Sequence, residues 1–403
     1  MRVVQINLGN FGSTGNIANA LREEGIREGL TVYNCYPFSP SNRVKSYNDI
    51  IIGSRIDRTI HVALGRLTGF DGFFSNVATV NLLRKIDKID PDLIHLHNLH
   101  NCYINIPKLF EFIRRKKKPV IWTLHDCWSF TGRCPHFVLS KCGRWKVGCS
   151  NCPYPKDQYP KSLIDTSAIM WAAKRKIFTN IANMKLVTPS RWLANLVSQS
   201  FLCEYPVTII HNGVDLGIYE PLESKFRESY GIGKNEIMLL GVAFGWGYRK
   251  GLDVFVELAS RLPQNYRIVL VGVDDSTKQK LPERIIPIER TKDQRQLAEI
   301  YSSADLFINP TREEVLGMVN LESLACGTPV ITFDSGGSPE CIDETCGRVV
   351  PCNDITALIK EIETICANSI FSSASCISRA QNFDKRKFGI AYVSLYKEMI
   401  GRV

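Results

Sequence analysis

Glu314 and Glu322 stand at the two ends of "EVLGMVNLE", with seven residues between them. The preceding "ADLFINP" reads as a buried strand, "TREEVLG" as its exit loop, and "MVNLESLACG" as a helix closed by Gly327 ahead of Pro329. The first N–H groups of that helix, around Leu316, Gly317, Met318 and Val319, have no partners within it and attract a phosphate. The carboxylates attract hydroxyl donors. A ligand with phosphate in its middle and hydroxyl-rich rings at both ends satisfies these features together, and a nucleotide-sugar is such a ligand. Spacing alone is equally served by two acids that stabilise the helix dipole.

Elements that would hold these residues alternate along the chain. "RVVQINL", "LTVYNCY", "PDLIHLHN", "PVIWTLHD" and "MKLVTPS" read as strands, with helical stretches such as "STGNIANALREEGIREG" and "IPKLFEFIRRKK" between them. The rhythm restarts after "VTIIHNGVD" with "EIMLLGVAF", "KGLDVFVELASRL", "YRIVLVGV" and "DQRQLAEIYSSA". This predicts an α/β protein of two Rossmann-like doubly wound domains, residues 1–205 and 206–383, facing an interdomain cleft, with working residues at strand C-terminal ends. The final stretch, 384–403, reads as an amphipathic helix.

No apolar run reaches the length of a membrane span, and "MRVVQINLGNFG" lacks the features of an export signal, so a cytoplasmic protein is expected. The net charge of +10 is uneven: residues 1–205 hold 28 Lys/Arg against 14 Asp/Glu, and residues 206–403 hold 22 against 26. The densest basic run, Arg114 to Lys118, suits either a solvated helix end or an anionic membrane leaflet.

Fourteen cysteines in a reducing compartment point to thiols or metal ligands. Cys134, Cys142, Cys149 and Cys152 fall within 19 residues in "CPHFVLSKCGRWKVGCSNC", a spacing that fits a structural zinc giving an irregular loop its core. Redox-active or simply packed thiols are the alternatives. In "HLHNLH", strand alternation puts His95 and His97 on one face with His100 beyond the strand end, which favours lining of an acceptor cleft over metal binding.

"INPTREEVLGMVNLESLACGTPVITFDSGGSPECI" resembles the donor-site signature of family-4 retaining glycosyltransferases with the GT-B fold; Glu314, Glu322, Gly336, Gly337 and Glu340 match it. "VTPSRWLANLV", "VTIIHNGVD" and "YRKGLDVF" extend the likeness over nearly the whole chain, and "HLHNLHNCYINI" and "WTLHDCWSFTGRC" resemble a bacterial surface-polysaccharide subset. The resemblance implies that Glu314 meets the donor sugar and Glu322 the ribose. Lys250, opening the helix "KGLDVFVEL", would neutralise the diphosphate, and His125 would lie beside the transferred sugar, with Asp126 orienting it or touching the acceptor. Gly12, Ser13, Thr14 and Gly15 would offer backbone N–H groups to the diphosphate. The family's usual arginine about five residues before the lysine is replaced by Gly245, which leaves Arg249 as the candidate second cation.

The expected activity is retaining, metal-independent transfer of a sugar from a UDP- or GDP-sugar to a hydroxyl of a lipid-linked or oligosaccharide acceptor. The setting is capsule, exopolysaccharide or O-antigen synthesis at the inner face of the membrane, without nucleic acid. The terminal helix is expected to cross back to the first domain. A nucleotide-sugar epimerase and a catalytically silent donor-binding scaffold are the competing readings.

Overall fold

The computed structural model describes residues 1–40, 42, 46–153 and 161–401. The chain forms two compact units: Met1–His211 with Phe388–Val403, and Asn212–Lys387. The first boundary falls a few residues after the expected one, because β7 (below) still belongs to the first sheet. Arg402 and Val403, the end of the expected terminal helix, lie outside the described residues.

In the first unit a seven-stranded, all-parallel sheet has the order β3-β2-β1-β4-β5-β6-β7. Its strands are β1 (Arg2–Ile6), β2 (Thr31–Pro37), β3 (Asp49–Ile52), β4 (Leu93–Leu96), β5 (Val120–Thr123), β6 (Met184–Thr188) and β7 (Val207–Ile209). The crossovers carry α1 (Gly12–Arg27), α2 (Arg55–Thr68), α3 (Asn76–Ile89), α4 (Ile106–Lys116), α5 (Ser167–Phe178) and α6 (Arg191–Val197). Strand interiors are buried on both faces, as a parallel sheet covered by helices requires.

The second unit has a six-stranded parallel sheet of order β10-β9-β8-β11-β12-β13. These are β8 (Ile237–Val242), β9 (Tyr266–Val271), β10 (Ile285–Ile288), β11 (Leu306–Asn309), β12 (Val330–Phe333) and β13 (Gly347–Val350). Its helices are α7 (Phe226–Ser229), α8 (Leu252–Arg261), α9 (Asp275–Lys278), α10 (Gln294–Ser303), α11 (Met318–Ala325), α12 (Ile355–Asn368) and α13 (Ser373–Gln381). A last helix, α14 (Lys385–Ile400), places Phe388, Tyr392, Val393, Tyr396 and Met399 in the first unit's core, against Val3, Leu21, Leu93 and Val187.

Candidate active site

In the second unit the strand order reverses at β8, which lies between β9 and β11. The loops leaving β8 and β11 are therefore neighbours at the sheet's carboxyl edge, the place where doubly wound sheets bind ligands. β8 leads to a single tight turn over Tyr248–Lys250, and β11 to the loop 310–317. Arg312 joins them. Buried at 4% exposure, it donates to both oxygens of Asp253 at 2.8 and 2.7 Å and to Oδ1 of Asn353 at 2.6 Å. It also donates to the Tyr248 carbonyl, and its guanidinium lies 3.8 Å from the Tyr248 ring centroid. The Arg312 backbone N–H donates to the Arg249 carbonyl at 2.9 Å. Lys250 Nζ is thereby brought 2.6 Å from Glu314 Oε2.

One expectation changes here, and the place of Arg249 becomes visible. Lys250 does not open a helix: Gly251 adopts φ 75° after it, and α8 begins at Leu252. Arg249 contributes its carbonyl to the loop junction while its side chain is exposed. The one signal of Arg312 in the sequence is a cation beside two acids at the end of a buried strand.

The loop of Glu314 is held from behind by the Gly336–Gly337 turn. Gly337 N–H donates to the Glu314 carbonyl at 3.1 Å, and Gly336 has φ 60° with no room for a side chain, since a Cβ there would lie 1.7 Å from that carbonyl oxygen. Leu316 leads to Gly317, which caps α11 in the left-handed region without a side-chain cap. The N–H groups at Met318 and Val319 thus open α11 beside Glu314, an anion-favouring end. One turn on, Glu322 Oε2 accepts a hydrogen bond from Tyr301 OH at 3.2 Å. Burial raises its carboxyl to about 7 against the opposing effect of hydrogen bonds from Tyr301 and Tyr219.

In the first unit Gly12, Ser13, Thr14 and Gly15 lie within the first turn of α1, not in a turn preceding it. Phe11 caps α1 through an extended backbone with no side-chain bond, and Asn7 Nδ2 donates to the carbonyls of Gly9 at 2.9 Å and Thr14 at 3.1 Å. Gly15 is packed closely enough that a Cβ would meet the Asn10 backbone at 2.6 Å.

His125 follows β5 and is half-buried, its Nε2 lying 3.1 Å from His97 Nδ1. Asp126 does not orient it: Oδ2 of Asp126 bonds His100 Nε2 at 2.9 Å and Oδ1 accepts from Trp128 N–H at 2.8 Å. Burial alone would raise the Asp126 carboxyl, yet His100, His136 and the Trp128 N–H together outweigh it and hold it at about 2. His95 and His97 do share a face, with ring centroids 4.0 Å apart and 0% and 1% exposure, but only His97 reaches the small cavity lined also by His100, His125 and Asp126. His95 is instead a core hydrogen-bonding group, between Tyr396 OH at 2.7 Å and Thr123 Oγ1 at 2.8 Å.

The cysteine-rich loop has an apolar core after all: Phe130, Phe137 and Trp145 are buried, with ring centroids 5.2 and 5.0 Å apart across Trp145. Lys174 of α5, fully buried, donates to the carbonyls of Trp128 at 2.7 Å and Thr131 at 3.1 Å and sits 3.6 Å from the Trp128 ring centroid. Burial lowers its ammonium to about 7. Gly132 N–H donates to Cys149 Sγ at 3.1 Å. No three of the sulfurs of Cys134, Cys142, Cys149 and Cys152 lie mutually within 4.8 Å. Among the described residues the group meeting that distance is His61, Asp71 and Cys102. Its members already have protein partners: Cys102 N–H and Sγ donate to Asp71 Oδ1 at 2.9 and 3.1 Å, Gly72 N–H donates to His61 Nε2 at 3.2 Å, and His61 Nδ1 lies 2.8 Å from Ser75 Oγ.

Comparison with known proteins bears on the family and the fold. The chain is 25% identical over 390 residues, 93% of both proteins, to WcaC of Escherichia coli (strain K12), named as a colanic acid biosynthesis glycosyl transferase. Over 161 residues, 36% of this chain and 35% of the relative, it is 32% identical to the D-inositol 3-phosphate glycosyltransferase of Mycobacteroides abscessus. The fold superposes on sucrose-phosphate synthase from Thermosynechococcus elongatus with a TM-score of 0.75 at 19% identity, covering all of both chains. It also matches HepE of Anabaena in complex with UDP, with a TM-score of 0.68 at 13% identity over 99% of this chain and 100% of that one. The two α/β units are those of the GT-B fold. Residues 234–368 match the family model "Glycosyl transferases group 1". Residues 13–217, half of the chain, match the model "Glycosyltransferase Family 4", and the protein is a member of that glycosyltransferase family.

Proposed function

We propose that the chain transfers a sugar, with retention of anomeric configuration and without a catalytic metal, from a nucleotide-diphosphate donor to a hydroxyl of a lipid-linked saccharide during bacterial surface-polysaccharide synthesis. The observation that carries this reading is the Lys250–Glu314 contact at the β8/β11 junction, beside the uncapped start of α11. A donor offers an exchange of partners there: its diphosphate takes Lys250 and the helix N–H groups, and a sugar hydroxyl takes Glu314. Glu322 would accept from the ribose. The N–H groups of Gly12–Gly15, His125 beside the sugar, and Arg249 as a second cation complete the proposal. The bond between the anomeric carbon and the diphosphate oxygen breaks, the acceptor oxygen bonds that carbon from the same face, and the acceptor proton passes to the departing phosphate oxygen. Lys250 offsets the charge that develops there. WcaC, named for colanic acid biosynthesis, supports a polysaccharide setting, and HepE with UDP-glucose supports a nucleotide-sugar donor.

We further propose that the protein docks on an anionic leaflet through a surface other than Arg114–Lys118, whose cations are largely engaged within the protein. Arg114 donates to the carbonyls of Lys176, Ile177 and Thr179, Lys116 pairs with Asp87, and Lys118 lies 3.1 Å from Asp90. Helix α2 is the better surface. Its exposed side carries Ile56, Ile60, Ala63 and Leu67 at helical spacing with Arg55 and Arg66 beside them. Leu163, whose N–H donates to the Arg66 carbonyl at 3.0 Å, extends the patch with Ile164 and Lys161. Ile56 and Leu163 are each 72% exposed. Apolar side chains among cations on an amphipathic helix suit the headgroup region of anionic lipid. No helix among the described residues is long and apolar enough to cross a membrane.

The reading also keeps a structural zinc on Cys134, Cys142, Cys149 and Cys152. Four thiols on one loop are a zinc donor set, and binding would draw the sulfurs inward from their present spacing.

The deciding experiment is a screen of UDP- and GDP-sugars for thermal stabilisation, followed by transfer assays on lipid-linked acceptors with the product's anomeric configuration read by NMR. Stabilisation with transfer and retention is expected. Stabilisation without turnover would favour the silent scaffold, and conversion of the donor without an acceptor the epimerase.

A further inference from the structure

A directional chain of hydrogen bonds runs from the β1–α1 loop to His125. Asn19 Nδ2 donates to the Asn10 carbonyl at 2.9 Å, Asn34 Nδ2 to Asn19 Oδ1 at 3.4 Å, and Gln5 Nε2 to Asn34 Oδ1 at 3.1 Å. Gln5 Nε2 also donates to the Ala18 carbonyl at 3.1 Å. The ends of this amide series are backbone carbonyls, which can only accept, so each amide has one permitted orientation. Gln5 must then present its oxygen to His97, and Oε1 lies 3.0 Å from His97 Nε2.

That assignment propagates. With an acceptor at Nε2, His97 carries its proton there, and Nδ1 of the neutral ring is a lone pair. The atom 3.1 Å from that lone pair is His125 Nε2, which must be the donor. Burial keeps both rings neutral, lowering His97 well below its ordinary value and His125 to about 4. The two rings lie nearly parallel, at 13°, and Gln5 and His97 are each 1% exposed, which shields this contact from bulk water.

We propose that Gln5, acting through His97, fixes His125 as the Nε2–H tautomer, so that the half-buried ring offers its Nδ1 lone pair to a hydroxyl of the bound sugar. His125 is then a hydrogen-bond acceptor that selects a hydroxyl and disfavours a phosphate oxygen at the same spot. Gln5 and His97 are positioning residues. The substrate half of this inference rests on the function proposed above; the tautomer does not.

The test is the pattern of histidine ring nitrogens in long-range 1H–15N spectra of the 15N-labelled full chain at neutral pH, with His125 assigned by its loss in His125→Asn. A protonated Nε2 and bare Nδ1 are expected for both His97 and His125. In Gln5→Leu the acceptor is gone, and both rings are expected to exchange their pattern, with His97 Nδ1–H now donating to His125. A wild-type His125 found as the Nδ1–H tautomer or as imidazolium overturns the proposal whether or not the variant folds. So does an unchanged His125 in a folded Gln5→Leu protein. Wild-type transfer by His125→Ala would remove the sugar contact while leaving the tautomer assignment standing.

Discussion

Lys250 Nζ and Glu314 Oε2 lie 2.6 Å apart although they are 64 positions apart in the chain, because Arg312 clamps the turn of one to the loop of the other. Both side chains are about a fifth to a quarter exposed, so the pair itself contributes about 1 kcal/mol or less to folding. Lys250→Ala is expected to lower kcat by roughly 10²–10³, the scale of losing one charge-stabilising group, with Tm nearly unchanged. Arg312→Ala should instead lower both Tm and activity, since it leaves Asp253 unpaired and frees the turn. Steady-state kinetics beside calorimetry checks the contrast; a Lys250→Ala protein with wild-type kcat at saturating donor would remove Lys250 from the chemistry.

Glu322 supplies a pH dependence. Its carboxyl is raised from 4.5 to about 7 by burial, so the folded state holds a proton that the unfolded chain releases. Stability contributed this way is present below about pH 4.5 and is lost as pH rises through about 7, by at most about 3 kcal/mol. Glu322→Gln should abolish that slope, making the variant relatively more stable at pH 8 than at pH 5. Donor affinity should move the opposite way in the wild type, strengthening as the carboxylate forms. Denaturant unfolding and donor titration across pH 5–8 measure both trends.

Docking through α2 makes a separable prediction. Ile60→Asp with Leu67→Asp is expected to abolish sedimentation with anionic vesicles while leaving Tm within about 0.5 kcal/mol equivalent, as for exposed sites. Arg55→Gln with Arg66→Gln should weaken binding in a way that added salt mimics. Replacing Arg114 to Lys118 should have the smaller effect. Equal binding to neutral and anionic vesicles would mean that the arginines do not read lipid charge.

Zinc in the cysteine loop is read directly. Protein purified without chelator is expected to carry about one zinc per chain by elemental analysis, lost in Cys149→Ser. Metal-free protein with an unchanged Tm would show that the aromatic core and Lys174 suffice to hold the loop.

Much of this architecture is legible in the sequence. Short apolar runs ending in polar residues gave β1, β4, β5, β8 and β11, and the loop after β11 was located by "TREEVLG" because a strand, an acid pair and a glycine stop occur in fixed order. What escaped has one physical cause: polar partners chosen by tertiary contact leave no local period. His95 bonds Tyr396, 301 positions away, so a buried core histidine reads like a cleft residue. Arg312 is likewise anonymous until Asp253 is placed beside it. The exposed apolar side of α2 escaped for the opposite reason, since a helix whose greasy residues face outward has the same period as one whose greasy residues face in.

Helix α14 carries a consequence for biosynthesis. The first unit's core needs Phe388, Tyr392, Tyr396 and Met399, and His95 takes its Nδ1 partner from Tyr396. During vectorial synthesis these side chains leave the ribosome only after the whole second unit has emerged. The nascent first unit must wait with an open hydrophobic seam along Val3, Leu21 and Leu93, while the second unit is free to condense before it. Maturation therefore runs out of chain order, and premature termination within α14 would cripple the unit translated first.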